Sequence, residues 1–235
     1  MSSQQENYYD EHYQNVHYKG SLGLFTNIYH KQLERRRKSA QHYSNVLEIG
    51  AGIGEHLRFI RHTFDAYVLS DITAHPNSLS NLDLDPRRGK LSFLVADATN
   101  LPIDNNRFDR VLSTCVLHHI SNLELALSEI RRVSANDAVI DLYVPCDPGL
   151  LYRWLRHVTS HYKQKKSMKL SWSEVKYLWA KEHPNHYLGI ISLVKFVFRD
   201  DVLKISRYPL LPFSWNFNLF AVVSIKVVKS NSIEN

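Results

Sequence analysis

The sequence predicts an α/β fold with a doubly wound, seven-stranded and mostly parallel sheet. Three observations carry this. From Asn45 onward, short apolar runs rich in β-branched residues alternate with stretches of helical period, the pattern of a parallel sheet with crossover helices on both faces. The glycine-rich run Glu48-Ile49-Gly50-Ala51-Gly52-Ile53-Gly54 stands where the first strand hands over to a helix. The chain then ends in two further apolar runs whose short connection fits an antiparallel pair at the sheet edge.

Taken in order, residues 1–43 form an expected helical cover, in which Phe25, Ile28, Tyr29 and Leu33 have helical spacing. The run Arg35, Arg36, Arg37, Lys38 reads as a solvated helix end complementing the negative dipole, and no function is assigned to it. The cofactor-binding core is expected over residues 44–146. Its strands are Asn45 to Ile49, Ala66 to Ser70, Leu91 to Val95, Arg110 to Thr114 and Ala138 to Val144. Glu55 to His62 and Leu123 to Val133 read as helices, the second with Leu123, Ala126, Leu127 and Ile130 on one face. Residues 147–200 break the alternation as an aromatic, histidine-rich substrate cap. Residues 201–228 supply the terminal strand pair.

A chain of 235 residues with 44% hydrophobic and 22% charged residues suits one domain with an elaborated binding region. Cys115 and Cys146 are its only cysteines, too few for a disulfide framework. The polar stretch Met1 to Asp10 lacks the pattern of a signal peptide, so a cytoplasmic location is expected. Leu219 to Val228 is interrupted by Ser224 and Lys226 and falls short of the roughly 20 residues that span a bilayer. A net charge of +6 favours anionic partners without amounting to a nucleic-acid signature.

The glycine run lets the chain turn tightly and a ligand approach the backbone. A dinucleotide fingerprint would need its third glycine at position 55, where Glu55 stands, with Gly54 one residue early. The spacing instead resembles the first motif of class I S-adenosylmethionine-dependent methyltransferases, a superfamily of Rossmann-like fold. Ala96-Asp97-Ala98, Leu101-Pro102, Phe108-Asp109, Ser113 to His119 and Arg131-Arg132-Val133 follow in that superfamily's order, so the resemblance runs from Asn45 to Val144. Relatives usually carry a glycine near Ala135-Asn136-Asp137, and this chain has none. The resemblance implies S-adenosylmethionine as cofactor and S-adenosylhomocysteine as product. It sets Gly50, Ala51, Gly52 and Gly54 against the methionine portion, with Glu48 supporting the amino group through the loop or water. Asp71, beside Ile72, takes the ribose position, Asp97 faces the adenine amino group with Ala98 beside the ring, and Cys115 borders the pocket.

A sulfonium methyl is already electrophilic, so alignment and exclusion of water are the main demands, and no metal or covalent nucleophile is called for. A sugar hydroxyl as acceptor would need a base, an amine less so. His118 and His186 are the candidate bases, from a set that also contains His119 and His183. Pro145, Pro148 and Gly149 read as a turn without thiol chemistry at Cys146. The stretch Ser113 to Val116 lacks the Asp/Asn-Pro-Pro-aromatic motif of amino-methylating DNA enzymes, so nucleic acid is a minority reading.

Over residues 150–169, Leu151, Trp154, Leu155, Val158 and Tyr162 have amphipathic spacing beside Arg153, Arg156, Lys163, Lys165, Lys166 and Lys169. This reads first as a cap whose apolar stripe covers the acceptor, and second as a peripheral membrane or glycolipid contact. The expected activity is methylation of a small polar acceptor, with O-methylation of a nucleotide- or lipid-linked sugar ahead of N-methylation or a quinone or metabolite acceptor. A non-catalytic cofactor-binding module and an NAD-dependent oxidoreductase stand as alternatives. Oligomeric state is left open.

Overall fold

The computed structural model describes residues 21–74, 82–162, 165–166, 169–209 and 214–229. The first twenty residues of the expected cover, and Lys163 of the basic stretch, lie outside them. Helix α1 (Ser21–Glu34) leads into β1 (His42–Ile49), and a single 3-10 turn (Glu55–Phe59) follows the glycine run. Strands β2 (Thr63–Asp71), β3 (Leu91–Val95) and β4 (Phe108–Ser113) come next, then α2 (Leu123–Val133) and β5 (Ser134–Pro145). The segment beyond comprises α3 (Leu150–Arg156), continued by a π turn (His157–His161), then α4 (Trp172–Glu182) and α5 (Tyr187–Val197). Strands β6 (Val202–Tyr208) and β7 (Phe220–Lys226) close the chain.

The seven strands order as β3-β2-β1-β4-β5-β7-β6. β1 to β5 run parallel, while β7 pairs antiparallel with both β5 and β6. The Rossmann-like sheet expected from the sequence is therefore the sheet observed. Alternate residues of β1 divide between its two faces: Leu47 and Ile49 join a core with α2 and α5, and Val46 joins one with α1.

The expected helix over Glu55 to His62 is only the short 3-10 turn. β2 begins at Thr63, three residues earlier than predicted, and Ile60 is already extended, so a longer helix has no chain to use. After α2, Asp137 takes φ +61, a left-handed conformation that glycine adopts most readily. Aspartate tolerates it better than most residues, since its short side chain hydrogen-bonds locally. The 147–200 region divides. Tyr187, Ile190, Ile191 and Val194 of α5 belong to the main core, leaving α3 and α4 as the cap.

The basic run is solvated only in part, at Arg35 and Lys38. Arg37 is buried and forms a bidentate pair with Asp141 on β5, with bonds of 2.8 and 2.6 Å. Arg36 reaches Ser206 on the edge strand β6 and Ser224 on its neighbour β7. Below them, Glu34 pairs with the fully buried Arg110 of β4 and with His56 at 3.0 Å, and His56 meets His30 at 2.8 Å. Burial alone would push the Glu34 carboxyl up, but the His56 hydrogen bond and the Arg110 charge outweigh it and hold it at about 2. The run ends the helix against the sheet because Asp141 and Arg110, buried on the strands, each demand an opposite charge.

Candidate active site

A cavity of roughly 660 Å³ opens at the C-terminal ends of the parallel strands, where doubly wound sheets bind ligands. Its floor starts at the glycine run. Gly50, Gly52 and Gly54 have φ of +68, +54 and +78, conformations other residues adopt only at a cost. A Cβ at Gly50 would lie 2.0 Å from the Val116 side chain, so this position is closed on steric grounds as well. A Cβ at Gly52 would meet nothing within 4 Å, and the residue borders the cavity. That gap is a cradle where a ligand can lie against backbone.

The Gly52 amide donates to Asp71 Oδ2 at 2.8 Å, and the Thr73 amide to Oδ1 at 3.2 Å, which locks the carboxylate at the cavity rim. Ile72 beside it is 66% exposed, an apolar surface on the cavity wall that suits the face of a flat ring. Asp97 accepts from the amide and hydroxyl of Thr99, both at 2.8 Å, and these hold its carboxyl below the usual range. Ala98 and Cys115 also line the cavity. Burial pushes the Cys115 thiol up to about 12, so it is a neutral wall. Cys146 is likewise raised to about 12 by burial. Two carboxylates, an open glycine and an exposed apolar side chain fit a cofactor that joins an amino acid to a nucleoside.

Glu48, Ala51 and Gly54 stand behind the wall rather than on it. Glu48 is buried and accepts from Tyr67 Oη at 2.7 Å and Thr114 Oγ1 at 3.5 Å. Ala51 is buried, and Gly54 caps the 3-10 turn against Leu69 and Leu57. These three shape the turn that carries Gly50 and Gly52.

The far end of the cavity is aromatic. His118 and His119 follow β4, and His183 caps α4, with ring centroids 4.0, 4.5 and 4.7 Å apart. Trp179 stacks on His183 at 3.4 Å, and the Arg156 guanidinium covers Trp179 at 3.5 Å. Asp147 ties this column down through Arg156 at 3.2 Å and Trp179 Nε1 at 3.3 Å. Asn185 donates to the carbonyls of Leu117 and Ile120, pinning the loop after α4 to the loop after β4. Burial lowers the His119 imidazole against the pull of the Glu182 carbonyl.

His186 does not join this group. It is exposed at the N-cap of α5 and is not among the cavity-lining residues. Of the apolar stripe along α3 and the π turn, Leu155 faces the cavity as expected and most of the rest turns away. Trp154, Val158 and Tyr162 are 63, 49 and 57% exposed, while Tyr152, Leu155, Arg156 and Thr159 face the cavity. Arg156 points inward because Asp147 and Trp179 give it a partner there. The sequence reading missed Tyr29, Tyr143, Tyr152, Arg156 and Trp179 as wall residues. Only the spacing of Tyr29 on the apolar face of α1 could have hinted at burial, and nothing local marks the others.

Residues 47–140 match the model of a methyltransferase domain. The chain is 31% identical over 133 residues to an O-methyltransferase of Pyrenophora dematioidea, covering 52% of this chain and 48% of that protein. It spans less than half the length of the curated relatives it matches first. Its fold is similar to that of a putative S-adenosylmethionine-dependent methyltransferase of Methanococcus maripaludis (TM-score 0.59, 17% identity, 89% of this chain and 90% of that one). It is also similar to the N-methyltransferase NodS of Bradyrhizobium japonicum, solved with S-adenosylhomocysteine (TM-score 0.56, 14% identity, 86% and 87%). With its glycine turn, paired carboxylates and strand order, the chain has the fold of the class I S-adenosylmethionine-dependent methyltransferases, and residues 47–140 are similar to their methyltransferase domain.

Proposed function

We propose that the protein transfers the methyl group of S-adenosylmethionine to the oxygen of a small polar acceptor. The observation that carries this is one continuous cavity with a donor end, at Gly52, Asp71, Ile72 and Asp97, and an imidazole-lined end at His118, His119 and His183. The cofactor supplies an electrophilic sulfonium methyl when bound. Gly52 gives it a bare backbone surface, Asp71 offers its remaining lone pairs to ribose hydroxyls, and Asp97 accepts from an exocyclic amine. Tyr29, Tyr143 and Phe220 pack together over the site, at 4.5 Å and 5.3 Å between successive centroids, and keep water from it. The histidine cluster activates the acceptor, with His118 preferred to His186 because it lies on the cavity wall.

Calorimetry with S-adenosylhomocysteine, followed by a screen of hydroxyl and amine acceptors with labelled cofactor, tests the reading. Binding and transfer to a hydroxyl are expected. Absence of binding by the intact chain removes the whole proposal, whereas binding without transfer to any acceptor leaves a cofactor-binding module.

A lipid-linked acceptor, met at a membrane surface, is favoured over a nucleotide-linked one by the outer face of α3. Leu150, Trp154, Val158 and Tyr162 recur at four-residue steps and are all about half exposed or more, with exposed Arg153, Lys166 and Lys169 nearby. An apolar aromatic stripe bordered by cations suits the interface of an anionic bilayer, and the same helix lines the acceptor end of the cavity. No helix among the described residues is long and apolar enough to cross a membrane. Flotation with anionic vesicles should recover the protein, and Trp154→Ser with Tyr162→Ser should leave it in the soluble fraction. Equal recovery of both removes the lipid-linked acceptor and favours a soluble one.

A further inference from the structure

The three imidazoles at the acceptor end do more than pack. His118, His119 and His183 each offer a donor nitrogen, and these atoms all lie within 4.8 Å of one another. Two of the rings have a fixed orientation. His119 Nδ1 lies 2.8 Å from the Glu182 carbonyl, and His183 Nδ1 lies 3.1 Å from the Trp179 carbonyl. A carbonyl only accepts, so each Nδ1 carries the proton and each Nε2 presents a lone pair. Proteins hold metal-binding histidines in this way, the outer hydrogen bond fixing both tautomer and ring direction. An aromatic wall on Trp179 could be built from phenylalanine, without setting three polar ring edges side by side.

We infer that His118, His119 and His183 form a site for a divalent transition-metal ion of the zinc class, its open position facing the cavity. Neutral imidazoles suit zinc, copper, nickel and iron, whereas magnesium and calcium prefer an oxygen set that this cluster lacks. Tetrahedral zinc with bonds of about 2.1 Å spaces its ligand nitrogens roughly 3.4 Å apart, so binding would draw the present cluster, within 4.8 Å, closer together. Three histidines with a fourth position open are the ligand set of catalytic rather than structural zinc. All three residues border the cavity, so the open position would take an oxygen or nitrogen of the acceptor. This service to an acceptor rests on the methyl-transfer reading, but the binding of the ion does not. The ion would also replace His118 as a free base, since all three rings are then ligands.

The test uses the untagged full chain, stripped with a chelator and titrated with Zn²⁺ by calorimetry and with Co²⁺ by visible absorption. One ion per chain is expected. His119→Gln and His183→Gln should each remove the Co²⁺ band and weaken binding by more than the about hundred-fold that loss of a ligand's outer hydrogen-bond partner costs, while the exposed His186→Gln binds like wild type. Wild-type affinity and stoichiometry in the folded His119→Gln, His183→Gln double variant would overturn the site. If that variant fails to fold, wild-type crystals soaked in Zn²⁺ decide: anomalous density between the three rings supports the site, and its absence there overturns it. Undiminished methyl transfer by protein that binds no ion would remove the metal and leave the methyl-transfer reading standing.

Discussion

The floor and the roof of the cavity are built on different physics. The floor is backbone: strand ends, left-handed glycines, and carboxylates locked by amides, all resting on the buried charges of Glu34, Arg110 and Asp141. The roof is side chain on side chain, a column running from Arg156 through Trp179 and His183 to His118. A floor of this kind has its shape set by backbone, and side-chain changes alter it little. A roof of stacked side chains can be rebuilt residue by residue, and this is where acceptor choice can vary while the donor site stays fixed.

The contrast is most sharply broken at Arg110. Arg110→Ala leaves Glu34 and Asp141 buried beside each other's charge without their shared partner, and should cost about 3–5 kcal/mol of stability. Denaturant unfolding measures it, and a loss below about 1 kcal/mol would mean that the floor does not rest on this network. Next comes Gly52→Val, which puts a branched side chain into the open cradle at φ +54. Affinity for S-adenosylhomocysteine should fall by at least about a hundred-fold, roughly 2.7 kcal/mol, and the strain should cost about 1–3 kcal/mol of stability. Unchanged affinity by calorimetry would separate the glycine run from the ligand.

Acid should act in two phases, the first touching both halves through His62 beside Tyr43 and His161 beside Trp179, the second the floor. His62 and His161 are held at about 4 by burial, below the ordinary imidazole value, so the unfolded chain binds their protons first. Stability is therefore complete above about 6.5 and declines as pH falls toward 4. Glu34, held at about 2, adds a second loss that begins near 4.5 and runs down to 2, and Glu34→Gln should reduce that second phase, leaving the share of the other lowered carboxyls such as Asp97 and Glu129. Thermal unfolding across pH 7 to 2 reads both. The smallest expected effect is on cofactor binding in Trp179→Ala. It should leave S-adenosylhomocysteine affinity within about two-fold while weakening acceptor use, because half-buried Trp179 touches only the roof. Equal damage to both ligands would erase the distinction.

The floor was legible in the sequence for the same reason that it is rigid. Buried parallel strands favour β-branched and apolar residues, and a tight turn that lets a ligand reach backbone favours glycine, so the buried half of β1 and the glycine run announce themselves. The roof was not. Arg156 and Trp154 are both plausible members of a basic amphipathic helix, and only the positions of Asp147 and Trp179, brought near by the chain's return through α4, decide that Arg156 turns in and Trp154 turns out. Arg37 misled in the same way. Its partner Asp141 lies 104 residues away, and no local pattern pairs them.

Tyr29 gives α1 a part in both structures. The helix lends this ring to the cavity wall, and one turn later its Glu34 is fastened to β4 and to the turn behind the glycine run. Occupancy of the cavity and seating of α1 are therefore linked equilibria. A ligand at a hundred times its dissociation constant adds about 2.7 kcal/mol to the state it binds, and part of that would appear as slower amide exchange in a helix that precedes the cofactor motif in sequence by some twenty residues.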